Sequence, residues 1–509
     1  MKAQEYIELI KETYEEIINE FRTSQDKERF KKILLELLEK IGDAKDEDYD
    51  TIFKLLTEDY LKSVEAIAKL SPGLSTGLYD ETYGITLNTY NGKMSDIPND
   101  EEITERSVFD ASSMTKMFTS ILLLKEAEKG NIDLNKRFSD YSPLLSNIDV
   151  PIIDALRFGV NLRTDGRLDE PGITPEERER RLKSTYVFET DTFIYSDIPY
   201  MLVPLLFGKT MEEATENYIS KFYELYRDEL GLSKTGYSTI NMTGGPAKSD
   251  LGGEIISYSK DGLFDLKANI FEREVGYISG HAGATTTVKD LEKLMDALSN
   301  GLLNEESLKT LTTTIQPESK ILLDKAGKPI LRNENPVIIN HAMGVYINTG
   351  SIRNSDIADR YSDTSFAAEG STGTYSVFDK ENGLNMTYLS NVRSGLFHKW
   401  INTDSYTYGD DNDEMPKHHQ TTLVSGTGTI KDGRIFRPDG SFMTYVRATN
   451  NFKEEGLDTL LMLRIAKKVL IKKAHLEYSG SELEEALRNI DQSFNKDNFT
   501  LENEKNKKL

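Results

Sequence analysis

A serine and a lysine, Ser113 and Lys116, stand three residues apart at the start of an apolar stretch. Three residues are close to one helical turn, so the hydroxyl and the ammonium would lie on one face of a helix. A lysine can take a serine proton where burial and a helix N-terminus disfavour its charge. The pair therefore predicts nucleophilic catalysis, with the Ser113 backbone N–H as one donor of an oxyanion hole.

The sequence around this pair is more specific than its spacing. The same Ser-x-x-Lys spacing also occurs, in polar sequence, at Ser24/Lys27, Ser257/Lys260 and Ser493/Lys496. From Met114 to Leu124, by contrast, apolar residues cover most of a helical wheel and predict a buried helix. A structural interpretation stays open at this point, in which Ser113 is a helix N-cap and Lys116 extends its charge to solvent.

Composition excludes several classes of function. The 509 residues carry a net charge of −23, which argues against nucleic acid or an anionic membrane surface as the main partner. The chain has no cysteine, so disulfides and thiolate chemistry are excluded. The charged N-terminus lacks the apolar core of a signal peptide, and no apolar run is long enough to cross a bilayer. We therefore expect a soluble cytoplasmic protein.

The hydrophobic pattern predicts an α+β fold. Helices are expected over residues 4–41 (two), 49–70, 114–124, 198–207, 211–230, 288–294, 457–474 and 481–490, and strands over 74–79, 84–90, 374–378 and 384–389. We divide the chain into an accessory helical hairpin (1–48), a hydrolase domain (49–474) with an insertion at about 396–455, and a charged helix with a disordered tail (475–509).

Three other features carry weaker signals. His281 stands between glycines and could be a base, although a structural hydrogen bond is the favoured interpretation. The acidic and histidine residues between Asp410 and His419 lack the spacing of a known metal site, so we expect a solvated insertion and no metal or cofactor. The polar segment Asn161–Lys183 is expected to be a solvated loop that could shape access to a pocket.

Several separated motifs together resemble the serine hydrolases related to class C β-lactamases. These penicillin-binding-protein-like enzymes include D-amino-acid peptidases and carboxylesterases. Ala111–Thr119 is similar to the family's S-x-T-K helix, Tyr195-Ser196-Asp197 to its Y-x-N motif, and Ser279–Leu291 to its G-H-A-G segment. The hairpin over 379–391 matches the one that closes the family's sheet. The resemblance covers roughly residues 50–395 and implies a β-lactamase/transpeptidase-like fold, with an antiparallel sheet flanked by helices and an all-helical subdomain.

The resemblance also implies a role for each matching residue. Ser113 would be the nucleophile, and Lys116 and Tyr195 would share its proton and later that of the attacking water. Asp197 would line the substrate pocket. The second oxyanion donor would be the backbone N–H of Ser371.

One motif departs from the family pattern. Where the family has K-T-G or H-x-G on the strand that lines the site, this chain has Ala368, Glu369 and Gly370, without the usual cationic or polar side chain. A shifted register would place residues 371–373 there instead. Recognition of a substrate carboxylate is therefore not expected, whereas acyl transfer itself is retained.

These observations favour a serine hydrolase that cleaves an ester or a small amide or D-amino-acid peptide bond through an acyl-enzyme. One alternative is a non-catalytic, ligand-binding or scaffold member of the same fold, whose terminal helices bind a partner. Another is an acyltransferase or β-lactamase that uses the same residues.

Overall fold

A computed structural model describes a large part of the chain. The described residues are 3–19, 24–41, 49–68, 71, 73–93, 102–166, 174–189, 195–237, 279–318, 323, 326–329, 331–332, 335–336, 339–348, 361–370, 372–391, 429–431, 434–436, 442–443 and 445–499. Most of the predicted insertion at 396–455 lies outside the described residues. The residues between Asp410 and His419 lie wholly outside them.

The described residues form the mixture of helices and strands that the sequence predicts for an α+β fold. The helices are α1 (Ala3–Ile18), α2 (Ser24–Ile41), α3 (Tyr49–Ala68), α4 (Thr115–Glu128), α5 (Ile152–Leu156), α6 (Pro175–Lys183), α7 (Ile198–Leu202), α8 (Met211–Tyr223), α9 (Val288–Ser299), α10 (Glu305–Thr312), α11 (Tyr445–Glu477) and α12 (Ser481–Ser493). The first strands are β1 (Gly73–Asp80), β2 (Ile85–Gly92), β3 (Phe109–Asp110), β4 (Leu162–Arg163), β5 (Tyr186–Val187), β6 (Gly236–Tyr237), β7 (Ala284–Thr286), β8 (Leu331–Arg332) and β9 (Asn335–Pro336). The later strands are β10 (Tyr346–Ile347), β11 (Phe366–Gly370), β12 (Thr374–Asp379), β13 (Leu384–Ser390), β14 (Thr429–Lys431), β15 (Arg434–Phe436), β16 (Phe442–Met443) and β17 (Asn495–Phe499).

A seven-stranded sheet organises these elements in the order β10-β11-β12-β13-β1-β2-β17. The two hairpins predicted from sequence, β1–β2 and β12–β13, meet at its centre, where β1 pairs with β13 from Leu74 opposite Ser390 to Asp80 opposite Leu384. Every pairing in the sheet is antiparallel except that of β17, which runs parallel to β2. The sheet is therefore antiparallel as predicted, with one parallel pairing at its β17 edge.

The parallel edge strand corrects the prediction of a disordered tail after Asn495. Phe494 anchors the segment, because its ring is buried and lies edge-on to Phe53 at 5.7 Å. The Thr86 backbone N–H donates to the Phe494 carbonyl over 3.0 Å, and the Lys496 ammonium lies 2.9 Å from the Asp50 carboxylate. These contacts hold the start of the tail on the sheet edge.

One face of the sheet is covered by α11, α3 and the N-terminal helices. Leu78 and Met386 of the sheet share a core with Leu460 of α11. The N-terminal hairpin predicted as accessory contributes Ile17 and Phe30 to the same core. Arg29 of α2 also pairs with the buried Asp458 of α11 over 3.0 Å. The hairpin thus packs against the helix that covers the sheet.

The other face carries α4, α9 and the remaining helices around a second core. A small sheet in the order β3-β7-β6 lies beside these helices. It is joined to the turn that contains Ser113, because the Ala111 N–H donates to the Ala284 carbonyl over 2.8 Å. Thr287 caps α9 as predicted, with its side chain accepting from the Asp290 N–H. No helix within the described residues is both long and apolar enough to cross a bilayer.

The polar segment predicted as a loop over 161–183 contains α6. Thr174 accepts from the Glu177 N–H at its N-terminus, and Pro175 occupies the first turn. A Thr-Pro-Glu-Glu start was therefore the signal for a helix, although the charged composition obscured it.

Candidate active site

Ser113 lies in a tight turn between the small sheet and α4. Residues Ser112–Met114 form a 3₁₀ turn that leads into α4 at Thr115. Ser112 has a φ of +45°, a left-handed conformation that is strained for a residue with a side chain, and its N–H donates to the Asp110 carboxylate over 2.7 Å. The Thr372 hydroxyl donates to the Asp110 carbonyl over 2.8 Å. The turn is thus fixed from both sides.

Lys116 is buried directly beside this turn, with 1% of its side chain exposed. Its Nζ lies 3.0 Å from Ser113 Oγ, 2.9 Å from Asp197 Oδ1 and 3.2 Å from the His281 carbonyl oxygen. An ammonium has three N–H donors and no acceptor, so these three oxygens match its capacity. The structure therefore does not support the alternative in which Lys116 extends its charge to solvent.

The protonation of Lys116 differs from the sequence-based expectation. Burial opposes its charge, as expected, but the Asp197 carboxylate and Tyr195 outweigh burial and raise the pKa of Lys116 above its ordinary value. The resting lysine is therefore an ammonium. Spacing alone could not show this, because Asp197 is distant in sequence.

The two residues of the second motif stand on one side of Lys116. The ring of Tyr195 has its centroid 4.9 Å from Lys116 Nζ, a cation–π arrangement, and the residue remains 41% exposed. The Asp197 side chain is 18% exposed and stands directly before α7. Ser113, Lys116, Tyr195 and Asp197 therefore come together as the resemblance implies.

The facing strand β11 supports the first of the two registers considered. It ends at Gly370, where a Cβ would lie 2.3 Å from the Ala111 carbonyl oxygen and 3.1 Å from Ser112 Cβ, so only glycine allows this approach. Gly373 lies beyond the strand with a φ of +87°, which makes the shifted register wrong.

The side chains of β11 alternate between the two faces of the sheet. Ala368 belongs to the core on the Ser113 side, together with α4. Glu369 lies opposite Tyr375, whose ring centroid is 4.1 Å from Lys453 Nζ of α11, so Glu369 is on the other face. The structure thus places Ala368 and Gly370, but not Glu369, toward Ser113. Ser371 lies outside the described residues.

His281 has the structural position that the sequence favoured. Its side chain is buried, and its Nδ1 is hydrogen-bonded to the hydroxyl of Ser279. Its backbone carbonyl is one of the acceptors of Lys116. The glycine-bracketed segment therefore contributes a backbone oxygen to the site, which residue types alone could not indicate.

Two aromatic residues near Tyr195 were missed by the motif search. Phe158 stacks on the Tyr195 ring with centroids 5.1 Å apart, and the His341 ring lies 5.3 Å from it. Neither residue belongs to one of the family motifs, and each has only a glycine close by in sequence, Gly159 and Gly344. Within the described residues, no group of three His, Asp or Glu side chains is arranged to hold a metal ion.

Comparison with known proteins agrees with this geometry. A model of the beta-lactamase family matches residues 79–399, more than half of the chain. The chain belongs to the beta-lactamase family. This confirms the resemblance drawn from the motifs and the β-lactamase/transpeptidase-like fold.

The chain is also similar to two curated bacterial proteins, each named "Putative D-alanyl-D-alanine carboxypeptidase". It is 22% identical to the one from Escherichia coli K12 over 329 residues, which cover 57% of this chain and 70% of that protein. It is 24% identical to the one from Salmonella paratyphi A over 231 residues, or 39% of this chain and 52% of that protein. The chain thus spans only about half the length of the latter.

The chain is also similar to two solved structures. A D-amino acid amidase from Ochrobactrum anthropi SV3 shares 17% identity, with a TM-score of 0.44 over 67% of this chain and 91% of that one. A class C beta-lactamase shares 16% identity, with a TM-score of 0.45 over 68% and 93%.

Proposed function

We propose that this protein is a serine hydrolase that cleaves an ester or a small amide or D-amino-acid peptide bond through an acyl-enzyme on Ser113. The observation that carries the proposal is the contact of 3.0 Å between Ser113 Oγ and the buried Lys116 Nζ. A buried lysine with its ammonium on a serine hydroxyl has no evident structural use. Membership of a hydrolase family supports the same interpretation.

The raised pKa of Lys116 divides the proton transfer between two residues. Because the resting ammonium donates to Ser113 Oγ, it cannot accept the Ser113 proton at the same time. In our proposal Tyr195 reacts as a phenolate that the Lys116 ammonium stabilises, and its oxygen accepts the Ser113 proton to become a neutral phenol. Tyr195 then returns the proton to the leaving group and later accepts one from the attacking water.

The charged groups around Ser113 favour substrates without a carboxylate beside the scissile bond. Asp197 adds a negative charge that is balanced by Lys116, and Ala368 faces the site from β11 with a methyl group. We therefore favour simple esters and D-amino-acid amides or peptides with a neutral or cationic end.

Labelling with a fluorophosphonate tests the nucleophile. The wild-type protein should gain one covalent adduct by intact-mass spectrometry, mapped to Ser113, and Ser113→Ala should gain none. Two matched controls share the Ser-x-x-Lys spacing: Ser24→Ala at the start of α2 and Ser493→Ala at the end of α12. Both should label like the wild type. Equal labelling of Ser113→Ala would disprove the assignment, and no adduct on any variant would favour the non-catalytic alternative.

A panel of substrates then tests the proposed class. It contains p-nitrophenyl esters, D- and L-amino-acid amides, and D-Ala-D-Ala peptides with a free or an amidated C-terminus. We expect turnover of esters or D-amides and faster cleavage of the amidated peptide than of the free acid. Faster cleavage of the free acid would contradict the charge argument. Added amine or alcohol, with the products identified by mass spectrometry, separates hydrolysis from acyl transfer.

A further inference from the structure

A short loop that precedes β10 is anchored on the same helix that carries Lys116. At its tip, Gly344 has a φ of +71°, and a Cβ there would lie 2.8 Å from the Lys116 carbonyl oxygen and 2.9 Å from Ser120 Oγ. The Met343 N–H donates to the Leu311 carbonyl over 3.2 Å. The loop is therefore held against α4, and residues beside its tip keep a defined position relative to the site.

His341 is the residue of this loop that meets Tyr195. The two ring centroids are 5.3 Å apart with the planes tilted by 55°. The His341 ring also lies edge-on to Phe158 at 5.6 Å and packs against Tyr346 at 4.4 Å. Three rings thus surround the imidazole, and two of them, Phe158 and Tyr195, also stack on each other at 5.1 Å.

The backbone at Phe158 supplies a second, independent observation. Phe158 follows α5 with a φ of +59°, in the left-handed region where glycine or asparagine normally ends a helix. A left-handed conformation costs a residue with a Cβ about 1–2 kcal/mol. Glycine would satisfy this turn without strain, so the turn itself does not account for a phenylalanine. Its ring is buried and packs against Tyr195, Tyr200 and His341.

The charge of His341 suits a position beside Lys116. Burial and the nearby Lys116 ammonium lower the pKa of His341 to about 3, so the imidazole is neutral at physiological pH. A neutral ring packs against the Tyr195 phenol without adding a second positive charge. The Lys116 ammonium then acts on a proton exchanged between Ser113 and Tyr195 without a second positive charge from His341.

We propose that His341 is a positioning residue that, together with Phe158, holds the Tyr195 ring beside the Lys116 ammonium. This inference rests on the proposed function, because it assigns His341 a role through Tyr195. It explains how Tyr195, which is 41% exposed and would otherwise be free to rotate, stays at 4.9 Å from Lys116 Nζ. His341 itself need not contact the substrate.

Two substitutions of His341 separate ring packing from other effects. His341→Ala should lower kcat about 10- to 100-fold with KM changed less than about twofold, because a displacement of about 1 Å at a reacting group is enough for such a loss. His341→Phe retains a neutral ring of similar size and should recover most of kcat. The matched control is Phe207→Leu, which removes a ring that packs edge-on against Tyr218 at 5.5 Å. It should lower the melting temperature and leave kcat unchanged.

Several results would overturn the inference: wild-type kcat in His341→Ala, equal losses in His341→Phe and His341→Ala, or a loss of the same size in Phe207→Leu. A crystal structure of His341→Ala gives a readout that does not depend on turnover, since the Tyr195 ring should move away from Lys116. An unmoved ring would also overturn it. If the wild-type protein neither labels at Ser113 nor turns over a substrate, the proposed function fails, and the crystal structure still decides the role of His341.

Discussion

Two buried ion pairs, Arg464–Asp80 and Lys116–Asp197, are built from similar residues and differ in what surrounds them. Arg464 of α11 and Asp80 of β1 have 4% and 0% of their side chains exposed. The guanidinium bonds the carboxylate through Nε and Nη2, and it also donates to the Asn382 carbonyl. Lys116 is buried to the same degree, but Asp197 is 18% exposed and the ammonium also contacts a serine hydroxyl.

The difference shows which kind of buried pair can take part in chemistry. Arginine is a fixed planar donor that stays charged, so the Arg464–Asp80 pair can only join α11 to the sheet. Lysine is a point charge whose pKa responds to its neighbours, and Lys116 has the proposed nucleophile as one of its neighbours. The first pair should therefore control stability and the second activity.

The largest expected effect follows from removing the cation of the site. Lys116→Met should lower kcat/KM about 10³- to 10⁴-fold, since it removes the charge that assists proton transfer from Ser113. Lys125→Met on the same helix is the matched control, because Lys125 pairs with Glu128 over 2.8 Å away from Ser113. Steady-state kinetics on the best ester substrate measures both. A Lys116→Met enzyme within tenfold of the wild type would remove Lys116 from the mechanism.

The opposite result is expected at the structural pair. Arg464→Met leaves the Asp80 carboxylate buried without its cation and should lower the free energy of unfolding by about 3–5 kcal/mol. Activity per folded molecule should not change. Burial already raises the pKa of Asp80 against the influence of Arg464, so the double variant Asp80→Asn/Arg464→Met, without either charge, should recover part of the loss. Urea unfolding measures this difference, and a stable Arg464→Met variant would contradict it.

A smaller effect is expected from neutralising the carboxylate of the site. Asp197→Asn removes the attraction that raises the pKa of Lys116, whereas burial continues to lower it, so the ammonium should lose its proton at a lower pH. The alkaline limb of the kcat profile should then move to lower pH, with kcat near neutral pH reduced about 10- to 100-fold. Asp296→Asn, at the contact of α9 with Tyr79, is a remote control that should leave the profile unchanged. An unshifted limb in Asp197→Asn would show that Asp197 does not control Lys116.

The fold was predicted best where its signals are local. The hairpins β1–β2 and β12–β13 have turns flanked by apolar alternation, and Thr287 is a cap that can be identified from its neighbours. β17 has no such pattern, because Asn495–Phe499 is a polar segment that becomes a strand only through pairing with β2. Local propensity cannot show an edge that tertiary structure supplies.

The sequence predicted which residues form the candidate site but not how their charges influence one another. The order of the motifs was enough to predict that Ser113, Lys116 and Tyr195 belong to one site. The sign of the pKa shift of Lys116 was not predictable, because it depends on a distance of 2.9 Å to Asp197 and on the proximity of Tyr195. His341 was missed because its relation to Tyr195 is a packing contact between distant segments, which spacing does not encode.

A third buried acidic side chain sharpens the comparison, because burial outweighs the influence of the nearby Lys289 on its pKa. Glu292 of α9 is buried against the sheet beside Asn88, and burial raises its pKa to about 8. In the unfolded chain its pKa is near the ordinary value of about 4.3, so the folded state holds the proton more tightly. Stability should therefore fall as pH rises from about 5 to 8, as the unfolded state ionises more readily than the folded state.

Glu292→Gln removes this titration. At pH 8 the variant should be more stable than the wild type by a few kcal/mol, because the wild type loses about 1.4 kcal/mol for each unit by which folding raises the pKa of Glu292. At pH 4, where both states of the wild type are protonated, the advantage should disappear. Urea unfolding at the two pH values measures the difference, with Glu306→Gln in the first turn of α10 as a control. Equal stability of the wild type and Glu292→Gln at pH 8 would show that burial of Glu292 has no energetic consequence, unlike burial of the Arg464–Asp80 and Lys116–Asp197 pairs.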